Sequence, residues 1–203
     1  MTVDLDSLQD QLATLADFGV KKALAKGAHE AEALVSHADD ISIAIRKAMI
    51  EARRGAPSGI GIRVVVDGKL GFAATSGTNE TQIEKTAGEA VAVARITPLD
   101  PDFKHLPDPV TRSSRDGTID DRVIGFSEKD ALKQVNTLAE TTLKYDKRIK
   151  SLEGDIGVGG AVFAIANSRG IASTSKASYI YGGIYCIAMK EKKQKTGSDW
   201  LVS

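Results

Sequence analysis

The stretch GIGIRVVVDGKLGFAAT, residues 59–75, can fold into little other than a tight two-stranded ribbon. Ile60, Ile62, Val64 and Val66 alternate with Gly61, Arg63 and Val65, which is the two-residue period of a strand. Asp67-Gly68 accepts the positive φ angles of a type I′ turn and is a strong short-range hairpin signal. Leu70, Phe72 and Ala74 alternate on the returning strand, with Gly71 between them. The glycines also invite a phosphate-loop interpretation. Such a cradle sits between a strand and the first turn of a helix. Here Gly59 and Gly61 run on into further strand, so the glycines serve a hairpin. Gly154–Gly160, GDIGVGG, fails the same test because it leads into the strand-like AVFAIA.

The flanking segments follow from their periods. Leu5, Leu8, Leu12 and Leu15 line one face of a helix, with Lys21, Lys22 and Lys26 near its end and Gly27 as a left-handed stop. AEALVSH and ISIAI read as strands with Asp39-Asp40 turning between them, and RKAMIEARRG is expected to continue outward as strand. Asn79 through Gln82 forms a capping signal for a helix striped by Ile83, Ala87, Ala90, Val91 and Ala94. Residues 98–125 hold four of the chain's five prolines and read as a connector. Ser127 then caps a helix whose Leu132, Val135, Leu138, Ala139 and Leu143 are expected to face inward. The rest reads as a meander broken at Asn167-Ser168-Arg169-Gly170 and again at Gly182-Gly183. The expected fold is α+β: two helix-plus-antiparallel-sheet halves, 1–97 and 126–203, joined by the Pro-rich connector 98–125.

Composition removes several function classes. With 203 residues, 42% of them hydrophobic, the chain can bury a real core. Lys+Arg and Asp+Glu both number 27, which gives no basic excess for direct nucleic-acid binding. The run Lys190–Lys195 is interrupted by Glu191 and reads as a solvated hairpin end. One cysteine, Cys186, cannot form an internal disulfide, fits a reducing compartment and reads as a buried, inert thiol. No apolar run reaches bilayer length, so a soluble, cytoplasmic protein is expected and no membrane partner.

Catalytic signals are missing at the level of residues. His29-Glu30 suggests HExxH, but position 33 is alanine and His37 lies too far along; His105 has no partner spacing. No GxSxG elbow occurs in a strand-to-helix context. The catalytic, cofactor and metal-ligand sets read from the residues are therefore empty.

Three segments, GAHEAEALVSH, GIGIRVVVDGKLGFAATS and TQIEKTAGEAVAVAR, together resemble the first domain of the TldD/PmbA family, whose members were described as modulators of DNA gyrase. AIANSRGIASTSKASYIYGGIYCIAMKEKKQKTGSDW is similar to that family's central region. The matching positions are Gly61, Arg63, Gly68, Gly71 and Phe72 in the hairpin and Asn167, Ser168 and Gly170 in the turn, all structural in character. Arg63 stands out as a charge expected to be buried or at an interface, with its partner unassigned. The resemblance implies cytoplasmic proteins of a zinc metallopeptidase system that cleaves peptides and unfolded proteins. The zinc-binding HExxxH motif and a later cysteine belong to a region beyond the one matched here. It thus implies no zinc in this chain, a non-catalytic share in peptide holding and in a subunit interface, and strand edges that grip an extended peptide. The implied partner is a TldD-like catalytic subunit or a second copy, forming a dimer. The other reading is a stand-alone module that binds a partner such as DNA gyrase or a toxin–antitoxin component.

Overall fold

In the computed structural model, which describes residues 5–46, 49–110 and 117–203, helices cover one face of a single antiparallel sheet. The chain runs α1 (Leu5–Ala25), β1 (Glu30–Arg46), β2 (Met49–Gly55), β3 (Ser58–Val66), β4 (Lys69–Thr75) and α2 (Glu80–Ile96). It continues through α3 (Asp121–Ile124), α4 (Glu128–Tyr145), β5 (Ile149–Asn167), β6 (Ala172–Lys190) and β7 (Lys193–Val202). The strand order is β4-β3-β1-β5-β6-β7, with β2 pairing the outer half of β1. The fold is α+β, and both halves of the chain contribute to the one sheet. The seam is β1 against β5, in register from Glu32–Asn167 to Arg46–Glu153.

The helices pack on the face carrying Ala31, Ala33 and Val35 of β1 and Ile60, Ile62 and Val64 of β3. Leu12, Ala16, Val20 and Ala23 of α1 and Ile83, Ala87, Ala90, Val91 and Ala94 of α2 complete this core. So many alanines at the contacts let helix backbones approach the sheet closely. Gly71 is the extreme case: a Cβ there would collide with the Ala90 carbonyl and with Ala94, so only glycine fits beneath α2. A second, smaller cluster joins Ala131 and Val135 of α4 to Ile43 and Ile156.

Several local expectations meet the structure directly. Gly27 ends α1 at φ 99°, and Asp67 and Gly68 turn the hairpin at φ 50° and 73°. Asn79 caps α2 by accepting from the Gln82 N–H, and Ser127 and Asp130 form a reciprocal capping box on α4. The basic run is a hairpin end between β6 and β7, with Glu191 at φ 54°.

Other expectations need correction. Asp39-Asp40 is no turn: β1 passes straight through it. Arg54 Nη2 neutralises Asp39 at 3.0 Å, and Gly159 and Gly160 stand opposite Asp40 and Asp39 across the strand pair. β2 is indeed strand, but it folds back antiparallel on β1; Lys47 and Ala48 lie outside the described residues. The connector includes a short helix, α3, and its residues 111–116 lie outside the described ones. Gly182-Gly183 does not break β6, because Gly182 faces Ile156 and Gly183 is roofed by the Trp200 indole. On α4 the buried stripe is Ala131, Val135 and Ala139, while Leu132 (37%) and Leu143 (48%) are exposed. The small stripe brings α4 close to the sheet and leaves the leucines on its flanks.

Candidate functional site

The motif residues fall into two groups on either side of β1. In the hairpin, Arg63 Nη2 reaches Glu32 Oε1 at 2.7 Å, with the Arg63 side chain 44% exposed. The unassigned partner is therefore a cross-strand carboxylate, and the charge is not buried. Gly61 lies beneath the Phe72 ring, whose edge stands 3.1 Å from where a Cβ would be. On the far side, Asn167 organises the turn. Its Oδ1 accepts from the N–H groups of Arg169 (3.0 Å) and Ile171 (2.9 Å), and its Nδ2 donates to the Pro107 carbonyl at 2.8 Å. Ser168 exchanges bonds with Ala31: its N–H donates to the Ala31 carbonyl at 2.8 Å and its Oγ accepts from the Ala31 N–H at 3.0 Å. Gly170 supplies φ 102°. Arg169 pairs with Asp108 at 2.6 Å, fastening the connector to the sheet. These side chains spend their hydrogen-bonding capacity on the scaffold.

The histidines are scattered. His29 lies near Asp67, His37 Nδ1 meets Ser58 Oγ at 2.6 Å, and His105 lies near Asp108. Cys186 is half-buried on β6 rather than enclosed, because its partner strand β7 offers only Gly197 opposite it. Among the described residues no group of three or more His, Cys, Asp and Glu is placed to hold a metal ion. These described residues do not fit a zinc centre. A cavity of about 440 Å³ opens on the helix side between β1, α3 and the start of α4. His37, Asp39, Arg54 and Glu128 line it, and Arg54 lies between the two carboxylates, 3.0 Å from Asp39 and 3.6 Å from Glu128. Its cation is thus neutralised within the fold.

The second sheet face has a different character. The described helices lie on the other side, and this face displays Leu34, Phe72 (60% exposed), Phe163, Tyr185 (40%) and Trp200 (60%). Within β6 and β7 the rings lie down on glycines: Tyr181 over Gly157, Trp200 over Gly183, and the Tyr179 hydroxyl beside Gly159. Carboxylates stand next to them. Burial raises the pKa of Asp40, helped by the charge of Asp39, and its Oδ1 has no hydrogen-bond partner among the described residues. Burial also raises Asp155, with Arg46 opposing. The sequence reading missed this group. Its signal was the alternation Tyr179-x-Tyr181, obscured by treating Gly182-Gly183 as a break.

Among the described residues, β7 forms an edge of the same sheet with no strand paired on its outer side. Ile180 and Ser203 exchange both N–H···O bonds, so odd-numbered β7 residues bond to β6. Gln194, Thr196, Ser198, Trp200 and Val202 therefore turn their N–H and C=O groups outward. All of β7 is exposed. Among the described residues no helix is long and apolar enough to cross a membrane.

A helix-backed antiparallel sheet with one open aromatic face and a free edge defines an α+β unit whose surface chemistry lies on the sheet. The sequence matches the model for PmbA/TldA metallopeptidase domain 1 over residues 31–94 and that for the PmbA/TldA metallopeptidase central domain over residues 121–202. The chain belongs to the PmbA/TldD family. Solved structures agree in fold. TldE from Thermococcus kodakarensis superposes with a TM-score of 0.80 at 18% identity, over 95% of this chain and 42% of that one. A protein described as a candidate modulator of DNA gyrase from Bacteroides thetaiotaomicron gives 0.82 at 20% identity, over 100% and 45%. A Thermotoga maritima protein of the same description gives 0.76 at 16%, over 94% and 42%. The chain thus spans less than half the length of each of these proteins. A comparison with curated protein sequences gives no match.

Proposed function

We propose that this chain is a non-catalytic peptide-holding portion of a PmbA/TldD-type metallopeptidase system acting on peptides or unfolded proteins in the cytoplasm. Residues 1–97 and 126–203 serve as its first and central domains, with 98–125 as the link. Hydrolysis, and the zinc that the family implies, belong to a region or partner beyond these residues. The observation that carries the proposal is the β7 edge, where alternate backbone groups from Gln194 to Val202 point outward. An extended peptide adds to such an edge by main-chain hydrogen bonds, which are indifferent to side-chain identity and so suit unfolded substrates. The same edge could instead meet a TldD-like subunit or a second copy, and unpaired edges favour such association.

Proline at an outward position removes one ladder donor and obstructs pairing. Thr196→Pro and Ser198→Pro should each weaken binding of a labelled, unstructured peptide about tenfold or more. Proline at Gly197, whose backbone faces β6, serves as a contrast that should damage the hairpin itself. Unchanged peptide affinity in both outward variants would remove the edge from the account.

A further inference from the structure

On the open face, paired residues of neighbouring strands fall into rows. Tyr179 stands in line with Gly159, Asp40 and Gly55. Tyr181 stands with Gly157, Ser42 and Arg53. The third row is Trp200, Gly183, Asp155, Ala44 and Glu51, and the fourth is Ser198, Tyr185, Glu153, Arg46 and Met49. Aromatic rings therefore occupy one side of the face and carboxylates the strands beside it. Because glycine has no Cβ, the Tyr181 and Trp200 rings lie over Gly157 and Gly183 in the space a side chain would fill. Trp200 and Tyr185 remain 60% and 40% exposed.

Charge on this patch is unbalanced. The carboxylates Asp40, Asp155, Glu153 and Glu51 outnumber the guanidiniums Arg46 and Arg53, and Arg53 is already bound by Glu51. Asp40 Oδ1 is buried without a hydrogen-bond partner among the described residues. Among those residues the only cation over a ring is Lys22 Nζ, 5.1 Å from the Phe18 centroid on the helix side. Among the described residues no cation lies over the open-face rings.

We infer that the Tyr181–Tyr185–Trp200 platform and its neighbouring carboxylates take a lysine or arginine side chain of the held peptide where its chain turns from the β7 edge onto the open face. The flat indole and phenol faces attract the cation through their quadrupoles. Asp155 and Glu153 supply the opposite charge beside them, and the aliphatic stem of the basic side chain covers the rings. A neutral apolar side chain would gain the ring contact and forgo the electrostatic part. This inference rests on the peptide-holding proposal and adds a side-chain preference to it.

The test compares two labelled peptides of identical sequence, one with lysine and one with norleucine at the central position, titrated against the whole chain at low and at physiological salt. The lysine peptide should bind about tenfold tighter at low salt, with the ratio shrinking as salt rises. Trp200→Leu should bring the ratio close to one, Trp200→Phe should restore part of it, and Asp155→Asn should lower it while keeping the ring. Far-UV circular dichroism of each variant checks that the sheet is intact. Equal binding of the two peptides, or a lysine preference untouched by Trp200→Leu and Asp155→Asn in folded variants, overturns the platform but leaves peptide holding standing. If neither peptide binds, the peptide-holding proposal falls and takes the platform with it.

Discussion

At the residue scale, the motif positions earn their place as fasteners. Asn167 closes its own turn and reaches the connector, three hydrogen bonds from one carboxamide side chain in a 7% exposed residue. Asn167→Ala leaves two backbone N–H groups and a carbonyl without partners, and should cost about 2 kcal/mol in urea unfolding. Glu32→Gln, which loosens the half-exposed Arg63 pair, should cost well under 1 kcal/mol by the same measurement. Proton binding gives a second prediction at this scale. Asp120 is held down to about 2 by hydrogen bonds from the Arg122 side chain and backbone, and Asp146 to about 2 by those of Arg148, against an ordinary value of 3.8. A depressed folded value means stability that is present above about 3.8 and lost as the pH falls through about 2. Asp40 and Asp155 have the opposite sign: they keep their protons to higher pH in the folded chain, so their ionisation weakens the fold as pH rises past 3.8. Carboxyl NMR titration should place Asp120 and Asp146 well below 3.8 and Asp40 and Asp155 above it.

At the element scale, the hairpin and the helix stripes were legible because strand and helix periods differ and because Asp67-Gly68, Asn79 and Ser127 mark ends chemically. What was not legible was where strands stop. Asp39-Asp40 reads as a turn from local propensity, yet β1 runs through it because Arg54 and two facing glycines arrive from distant sequence. Gly182-Gly183 reads as a break for the same reason, although the Trp200 ring fills the space that a side chain would need. Both errors come from tertiary partners that a local window does not contain. The leucines of α4 misled in another way, since alanine at 131 and 139 sets the contact distance and pushes Leu132 and Leu143 outward. Close approach is also the principle at Gly71 under α2. Gly71→Ala should destabilise by about 2 kcal/mol through overpacking. The matched change Ala74→Gly, on the opposite face of β4, should cost less than 1 kcal/mol.

At the scale of the whole molecule, one sheet divides the protein into a helix-covered side and an open side. Helices and an alanine-rich core make up the first. The second keeps aromatic rings, carboxylates and a strand edge in contact with solvent, an arrangement that costs solubility unless something is held there. The candidate site was only partly visible beforehand, because the family motifs mark a hairpin and a turn, while Tyr179, Tyr181, Tyr185 and Trp200 follow both motifs in β6 and β7. The central claim is that this chain grips an extended peptide and does not cut it. Fluorescence anisotropy of a labelled, unstructured peptide, followed for hours with the chain in excess and zinc added, reads both halves at once. The account predicts a rise to a plateau that stays level; no rise, or a rise that decays and is arrested by a chelator, would contradict it.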